Sequence, residues 1–507
     1  MGFKSRLVKP FAKKVSKSIR TWSGHAPKSQ EMIFNKLIKE ARKTAFGKDH
    51  HFQEITSYEA FKEQVPIRDY EGIRTYVDRI KEGQADVLWK GFPAYFAKTS
   101  GTTSGVKYIP ITKASLPNHF ITARNALFHY FNQTKHGDWL DGKQIFLSGS
   151  PVLTQTGGIN TGRLSGIVNH QVPSWLRTSQ LPSYDTNCIE EWEDKLDKIV
   201  EETIDQDLRL ISGIPPWVQM YYERLLEKSG KKKIIDLFPN YSIFVYGGVN
   251  FEPYRDTLEQ LVGKRINTLE TFPASEGFFA FQDNQKEKGL LLNSHSGIFY
   301  EFVPVEEIHN ETPTRLSIKD IEVGVNYAII ITSNAGLWAY NIGDTVKFVS
   351  KNPYRLLVTG RIKHFISAFG EHVIGKEVEE SLMAVARDEG IRIVEFTVAP
   401  QVRPANNETP YHEWFIEFEN LPDNLDAFAK KVDRKMEQQN IYYEDLIKGK
   451  ILQTLKIRPL QKNAFRNLMK ARGKLGGQNK VPRLSNDRKI ADELQQYLHQ
   501  PNNLSLK

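Results

Sequence analysis

Tyr95-Phe-Ala-Lys-Thr-Ser-Gly-Thr-Thr-Ser-Gly-Val-Lys-Tyr-Ile-Pro110 decides how this chain is read. An apolar run with strand character opens it, and Lys107 and a proline close it. Between them, Gly101 and Gly105 let the backbone turn tightly and approach a ligand. Thr99, Ser100, Thr102, Thr103 and Ser104 bring hydroxyls that donate to phosphate oxygens, and successive N–H groups in such a loop can form an anion nest. Lys107 adds a long-armed cation. A Walker A loop is excluded. Gly101 and Gly105 stand one residue too close for G-x-x-x-x-G-K-[ST], and Tyr108 follows the lysine. Two readings stand at this point, a polar surface turn and a phosphate cradle.

Three further stretches join it. Tyr241-Ser-Ile-Phe-Val-Tyr-Gly-Gly-Val-Asn reads as a strand delivering Gly247 and Gly248, where a flat ligand meets bare backbone. Leu269-Glu-Thr-Phe-Pro-Ala-Ser-Glu-Gly277 puts Ser275 and Glu276 after another strand. Gly336-Leu-Trp-Ala-Tyr-Asn-Ile-Gly-Asp344 ends on a carboxylate able to accept two hydroxyl hydrogen bonds.

With its TSGTTSG loop and these three stretches in order, the chain resembles the acyl-adenylate-forming enzymes, most closely the auxin-responsive (Gretchen Hagen 3) family of acyl acid–amido synthetases. The resemblance implies an α/β fold. A large N-terminal adenylate-forming domain of mixed sheets and helices (residues 1–360) carries a smaller, mobile α+β C-terminal domain (367–507) across a hinge at 361–366. It implies ATP and Mg²⁺ as cofactors. The loop from Thr99 to Thr103, with Lys107, would hold phosphates. Gly247 and Gly248 would line the adenine, with Phe272 and Ser275 flanking the nucleotide. Glu276 would bind Mg²⁺, which prefers one or two carboxylates with water and phosphate. Asp344 and Arg361 would meet the ribose. Lys363, in the hinge, and Lys480, in Gly476-Gly-Gln-Asn-Lys-Val-Pro-Arg483, are the catalytic lysines that resemblance points to. Arg124, on the helix after the loop, is the candidate for the substrate carboxylate, with a plain surface arginine as the other reading. Two departures from the family pattern stand out: Phe272 replaces a common tyrosine, and Asn341 a usual arginine.

The implied activity is adenylation of a small carboxylic acid and then acyl transfer to an amine, expected to be an amino acid. Transfer to coenzyme A and a non-catalytic nucleotide-binding scaffold are the alternatives.

Composition bounds the rest. At 507 residues, 40% hydrophobic and 25% charged, the chain is globular and too long for a single core. No apolar run reaches the length of a membrane span, and one cysteine, Cys188, suits a reducing compartment, so the expectation is cytoplasmic. The net charge of +9 is local: residues 1–20 hold seven Lys/Arg and no acid, and residues 461–489 hold nine against Asp487. That pattern carries no nucleic-acid recognition motif. A monomer without nucleic acid or integral membrane association is expected. Residues 1–20 read as an amphipathic helix docked on the domain in preference to a membrane-surface segment. A helix is expected at 29–45, capped by Ser29, and others at 188–203, 217–229, 376–388 and 423–439.

Overall fold

The computed structural model describes residues 2–100, 106–172, 174–248, 251–362, 365–366, 368, 371, 373–402, 404, 408–448, 451–474, 481–485 and 487–499. Two compact units are present. One comprises Met1–Phe251 with Asp256–Val358, the other Glu252–Arg255 with Thr359–Lys507. The break after Val358 falls two residues before the boundary expected from sequence, inside the strand Tyr354–Arg361.

A mixed sheet dominates the first unit, with twelve strands among the described residues. Lys143–Phe146, Leu208–Ser212, Ile243–Gly247 and Thr268–Ala274 lie side by side and parallel. Their runs of β-branched and aromatic residues suit strands buried on both faces. Thr268–Ala274 then turns back antiparallel into Gly277–Phe281, and Leu290–Leu292, Tyr354–Arg361, Tyr340–Lys351, Asn326–Ser333 and Ile298–Pro304 follow across the sheet. A second sheet of four strands has Tyr95–Ser100 between its antiparallel partner Val106–Ile111 and the parallel Ile159–Gly162, with Thr154–Thr156 outermost.

The helix Phe3–Ser23 docks as expected. Ala12, Val15 and Ile19 enter a core with Phe128, Phe131 and Trp139. Its start is held by Asp141, which accepts from the Gly2 and Lys4 N–H groups and the Ser5 hydroxyl. The next helix is Ala26–Ala41, three residues earlier at its start than expected. Pro27 in the first turn fixes the start there, so Ser29 is buried inside the helix instead of capping it. Thr44 caps a separate short helix, Ala45–Asp49. The expected 188–203 helix is two, Tyr184–Cys188 and Trp192–Thr203.

Lys195 is buried on the second of these. Its ammonium donates to the carbonyls of Ser148 and Asn187, bracing the chain just beyond Lys143–Phe146. Burial pushes its pKa down to about 8. The unfolded chain therefore binds the extra proton between that value and the ordinary lysine pKa, so stability rises with pH across this window. It is lost as pH falls through about 8. We expect stability to rise by up to about 1.4 kcal/mol per pH unit there. Lys195→Met should flatten that slope, as read by urea unfolding at pH 8, 9 and 10.

In the second unit, Ile393–Gln401 pairs antiparallel with Tyr411–Phe418, which pairs parallel with Lys456–Leu460. Helices Gly375–Asp388 and Leu425–Gln439 cover this sheet through Val378, Leu382, Phe428 and Val432, against Phe396, Trp414 and Ile416.

Candidate functional site

The parallel strand Ile243–Gly247 delivers Gly247 and, just past its end, Gly248; the adjacent strand runs on from Gly247's partner Thr271 to Ala274, so the Ser275–Glu276 turn stands further out at the same, carboxyl edge. Open α/β sheets bind ligands at such edges. Gly247 is required by a close approach: a Cβ there would lie 2.5 Å from the Thr271 carbonyl oxygen. Ser275 and Glu276 form a two-residue connection between Ala274 and its register partner Gly277. Both side chains are half-exposed, which puts the Glu276 carboxylate within reach of solvent. The hairpin is fixed from behind. Asn118, on the helix Leu116–Thr134, accepts from the Phe278 N–H at 2.7 Å and donates to the Ser296 hydroxyl at 2.7 Å. Sequence reasoning missed Asn118, because nothing local marks a helix asparagine as the clamp of a distant hairpin.

The hydroxyl loop closes a hairpin. Thr99 opposes Lys107 and Ser100 opposes Val106. Gly101, Thr102 and Thr103 lie outside the described residues. The Lys107 ammonium sits 5.9 Å from the Tyr70 ring, and the Tyr70 hydroxyl accepts from the Tyr108 N–H.

Asp344 is 7% exposed and comes from an irregularity in the strand Tyr340–Lys351. Asn341 and Thr345 oppose Ile330 and Ala328, so three residues, Ile342 to Asp344, face Ile329 alone. Gly343, at φ +85°, makes the left-handed step, and the Asn341 side-chain oxygen accepts its N–H at 2.9 Å. Asn341 thus holds the bulge that presents Asp344. Asn two residues before Gly is a turn signal, and that spacing is visible in the sequence. The bulge is anchored further by Arg68, whose N–H donates to Ala339 O and whose carbonyl accepts from the Asn341 N–H at 2.7 Å. The Arg68 guanidinium lies 2.6 Å from His50 Nε2 and stacks over Phe46. Asn341→Ala should cost about 1 kcal/mol of stability and raise the KM for ATP several-fold, whereas Asn341→Asp keeps the acceptor and the KM. An unchanged KM in Asn341→Ala would detach the bulge from nucleotide binding.

Phe272 is 5% exposed and meets the Phe279 ring edge-on at 5.2 Å, inside the core. Arg124 is exposed. It lies about 200° around its helix from Thr122, on the side covered by the Phe3–Ser23 helix. There it sits 5.3 Å from the Phe11 ring and donates to the Asn125 side-chain Oδ1. The structure does not bring it to the face that carries Asn118 and Thr122.

In the second unit, Arg361 is exposed at the end of Tyr354–Arg361. Lys363 and Lys480 lie outside the described residues. The segment just after Lys480 is strapped to the sheet: Val398 N–H donates to Arg483 O, Thr397 Oγ1 to Pro482 O, and the Arg483 guanidinium pairs with Glu395.

The fold is that of adenylate-forming enzymes. It matches a GH3.15 acyl acid amido synthetase with a TM-score of 0.78, 15% identity and 96% of each chain covered. It also matches a 2-hydroxyisobutyryl-CoA ligase in a postadenylation state, with a TM-score of 0.56, 13% identity, and 96% of this chain and 90% of that one covered. The chain belongs to the GH3 family: models of that family's N-terminal domain match residues 15–177 and 157–266, its central domain 291–361, and its C-terminal domain 376–489. Similar curated relatives are a jasmonoyl–L-amino acid synthetase, JAR6, of Nicotiana attenuata (21% identical, 93% of both chains) and an indole-3-acetic acid–amido synthetase, GH3.4, of Arabidopsis thaliana (22% identical, 90% of this chain and 88% of that one).

Proposed function

We propose that this protein is an ATP-dependent acyl acid–amido synthetase. The observation that carries the reading is the Ser275–Glu276 turn at the same carboxyl edge of the parallel strands as Gly247 and Gly248, in a chain of this family. A carboxylate is a poor electrophile, because its charge repels nucleophiles. Its oxygen attacks the α-phosphorus of ATP, pyrophosphate leaves, and the acyl-adenylate then meets an amine whose attack at the carbonyl expels AMP. The protein's work is positioning and charge neutralisation.

The hydroxyl loop and Lys107 bind the phosphates, Gly247 and Gly248 admit the adenine, and Asp344 and Arg361 hold the ribose. Thr99, Ser100, Gly101, Thr102 and Thr103 make up the cradle, and Ser275 borders it. Lys480 or Lys363 neutralises the charge that develops at the α-phosphate, and the C-terminal unit turns about 361–366 before the amine attacks. A single carboxylate at a solvent-reachable turn fits Mg²⁺, which keeps its waters and shares phosphate oxygens. When bound at Glu276, Mg²⁺ supplies Lewis-acid polarisation of the phosphates. The acceptor is an amino acid, as the relatives' names say of those proteins. The single cysteine suits a reducing compartment, and on that ground we assign the protein to the cytoplasm; none of the described helices is long and apolar enough to cross a membrane.

The test is pyrophosphate release from ATP and Mg²⁺ against a panel of carboxylic acids, each alone, with amino acids, and with coenzyme A. Acid-dependent release that rises with amino acids and yields an amide by mass spectrometry is expected. A rise with coenzyme A alone would move the protein to the thioester-forming class.

A further inference from the structure

The helix Phe3–Ser23 uses only half of its circumference to dock. Ala12, Val15, Ser16 and Ile19 are buried, while all seven of its Lys/Arg residues are exposed. Five of them, Arg6, Lys9, Lys13, Lys17 and Arg20, fall at intervals of three and four residues, so they form one row down the helix. That row is about 21 Å long at 1.5 Å per residue. The helix contains no acid. Among the described residues, none of the seven joins an ion pair, whereas other surface helices pair Lys36 with Glu40, Lys198 with Glu201 and Lys376 with Glu380. Like charges at these spacings repel one another, so the row opposes its own helix unless a counter-charge comes from outside. Arg124 adds a further exposed cation on the other flank of the helix, over Phe11. Across the exposed half of the helix from the row, Leu7 is 63% exposed and Phe11 40%, the latter edge-on to Phe128 at 5.0 Å.

We propose that this row is a docking surface for an anionic lipid bilayer, with the helix lying flat on the headgroups. A line of cations meets the phosphates and carboxylates of anionic lipids, and each Lys or Arg near such a surface strengthens binding. The exposed Leu7 and Phe11 favour lipid over nucleic acid. Exposed apolar side chains on the same outward half of a basic helix gain by entering the boundary between headgroups and acyl chains, and they have no place on a phosphate backbone. The row includes none of the residues assigned above to ATP and its phosphates.

Sedimentation of the full-length protein with vesicles tests this, using phosphatidylcholine alone or mixed with phosphatidylserine. Binding is expected only to the mixed vesicles, falling away at about 0.5 M salt as screening shortens the charge interaction. The triple replacement Lys9→Glu, Lys13→Glu, Lys17→Glu should weaken it at least about tenfold. Leu7→Ser should weaken it less and leave the salt dependence in place. Far-UV circular dichroism and the thermal transition check that the variants fold, and Lys13→Gln with Lys17→Gln gives a neutralising version that adds no new charge. Equal binding to both vesicle types, or a triple variant that binds like the parent, overturns the proposal. So does binding of a labelled RNA oligonucleotide without binding of vesicles.

Discussion

Glu276→Gln should lower acid-dependent pyrophosphate release by at least about a hundredfold while the thermal transition barely moves. The side chain is half-exposed at a two-residue turn whose backbone is fixed by the register of Ala274 with Gly277 and by Asn118 behind Phe278. Removing one negative charge there leaves that scaffold intact. What is lost is an anionic oxygen for Mg²⁺, and a neutral amide is a much poorer ligand for a hard cation. The comparison should be made at saturating acid, with Mg²⁺ varied. A Glu276→Gln enzyme whose activity returns at high Mg²⁺ has lost metal affinity. One that stays inactive has lost transition-state stabilisation. Activity equal to the parent at all Mg²⁺ concentrations would remove Glu276 from the metal site.

The largest stability effect is expected at Glu301. This carboxylate is fully buried on the strand Ile298–Pro304 and is met by Arg315 through Nε at 2.8 Å and Nη2 at 2.7 Å. The Tyr58 hydroxyl donates to the same oxygen, and burial beside that charge raises the Tyr58 pKa. Arg315 also donates to the carbonyls of Lys62 and Val65. Glu301→Ala strands a guanidinium in the core, which costs about 3–5 kcal/mol. In a unit this large, that lowers the transition by roughly 4–7 °C. Replacing both partners, Glu301→Leu with Arg315→Met, should recover part of the loss, because no unpaired charge remains. Differential scanning calorimetry of the three variants decides it. A loss below about 1 kcal/mol in Glu301→Ala would show that the pair is not what holds this region.

The parts of the site legible in the sequence are those written in local chemistry. Tyr246-Gly-Gly after a β-branched run, and Ala-Ser-Glu-Gly between two apolar runs, announce strand ends, and strands end there. The hairpin around the hydroxyl loop is equally local. What escaped depends on partners far along the chain. The resemblance points to Arg124 only by its position on the helix after the loop, and which side of a helix faces a ligand depends on what covers the other side, here a helix more than a hundred residues earlier. Phe272 has the alternation of an inward strand residue, and only its neighbour Phe279 shows what it packs against. Asn341 looked like the loss of an arginine, yet its oxygen shapes the Asp344 bulge, a backbone role that the family pattern does not reveal.

The anchoring of the Asp344 bulge by Arg68 has a kinetic consequence. Gln30 bonds the carbonyl of Ile298, 268 residues away, and Tyr58 reaches Glu301 across 243. Arg68 meets Ala339 and Asn341 over a similar span. Contacts of such separation form late, because the intervening chain must be closed into a loop before they return any energy. During synthesis, the first seventy residues emerge long before the strands they support. Phe34, buried in the finished protein, and Tyr58 then wait without their shared partner Phe299. The carboxylate assigned to the ribose is therefore among the last features to be assembled. A nascent chain stalled before residue 340 would expose apolar surface and lack a nucleotide site.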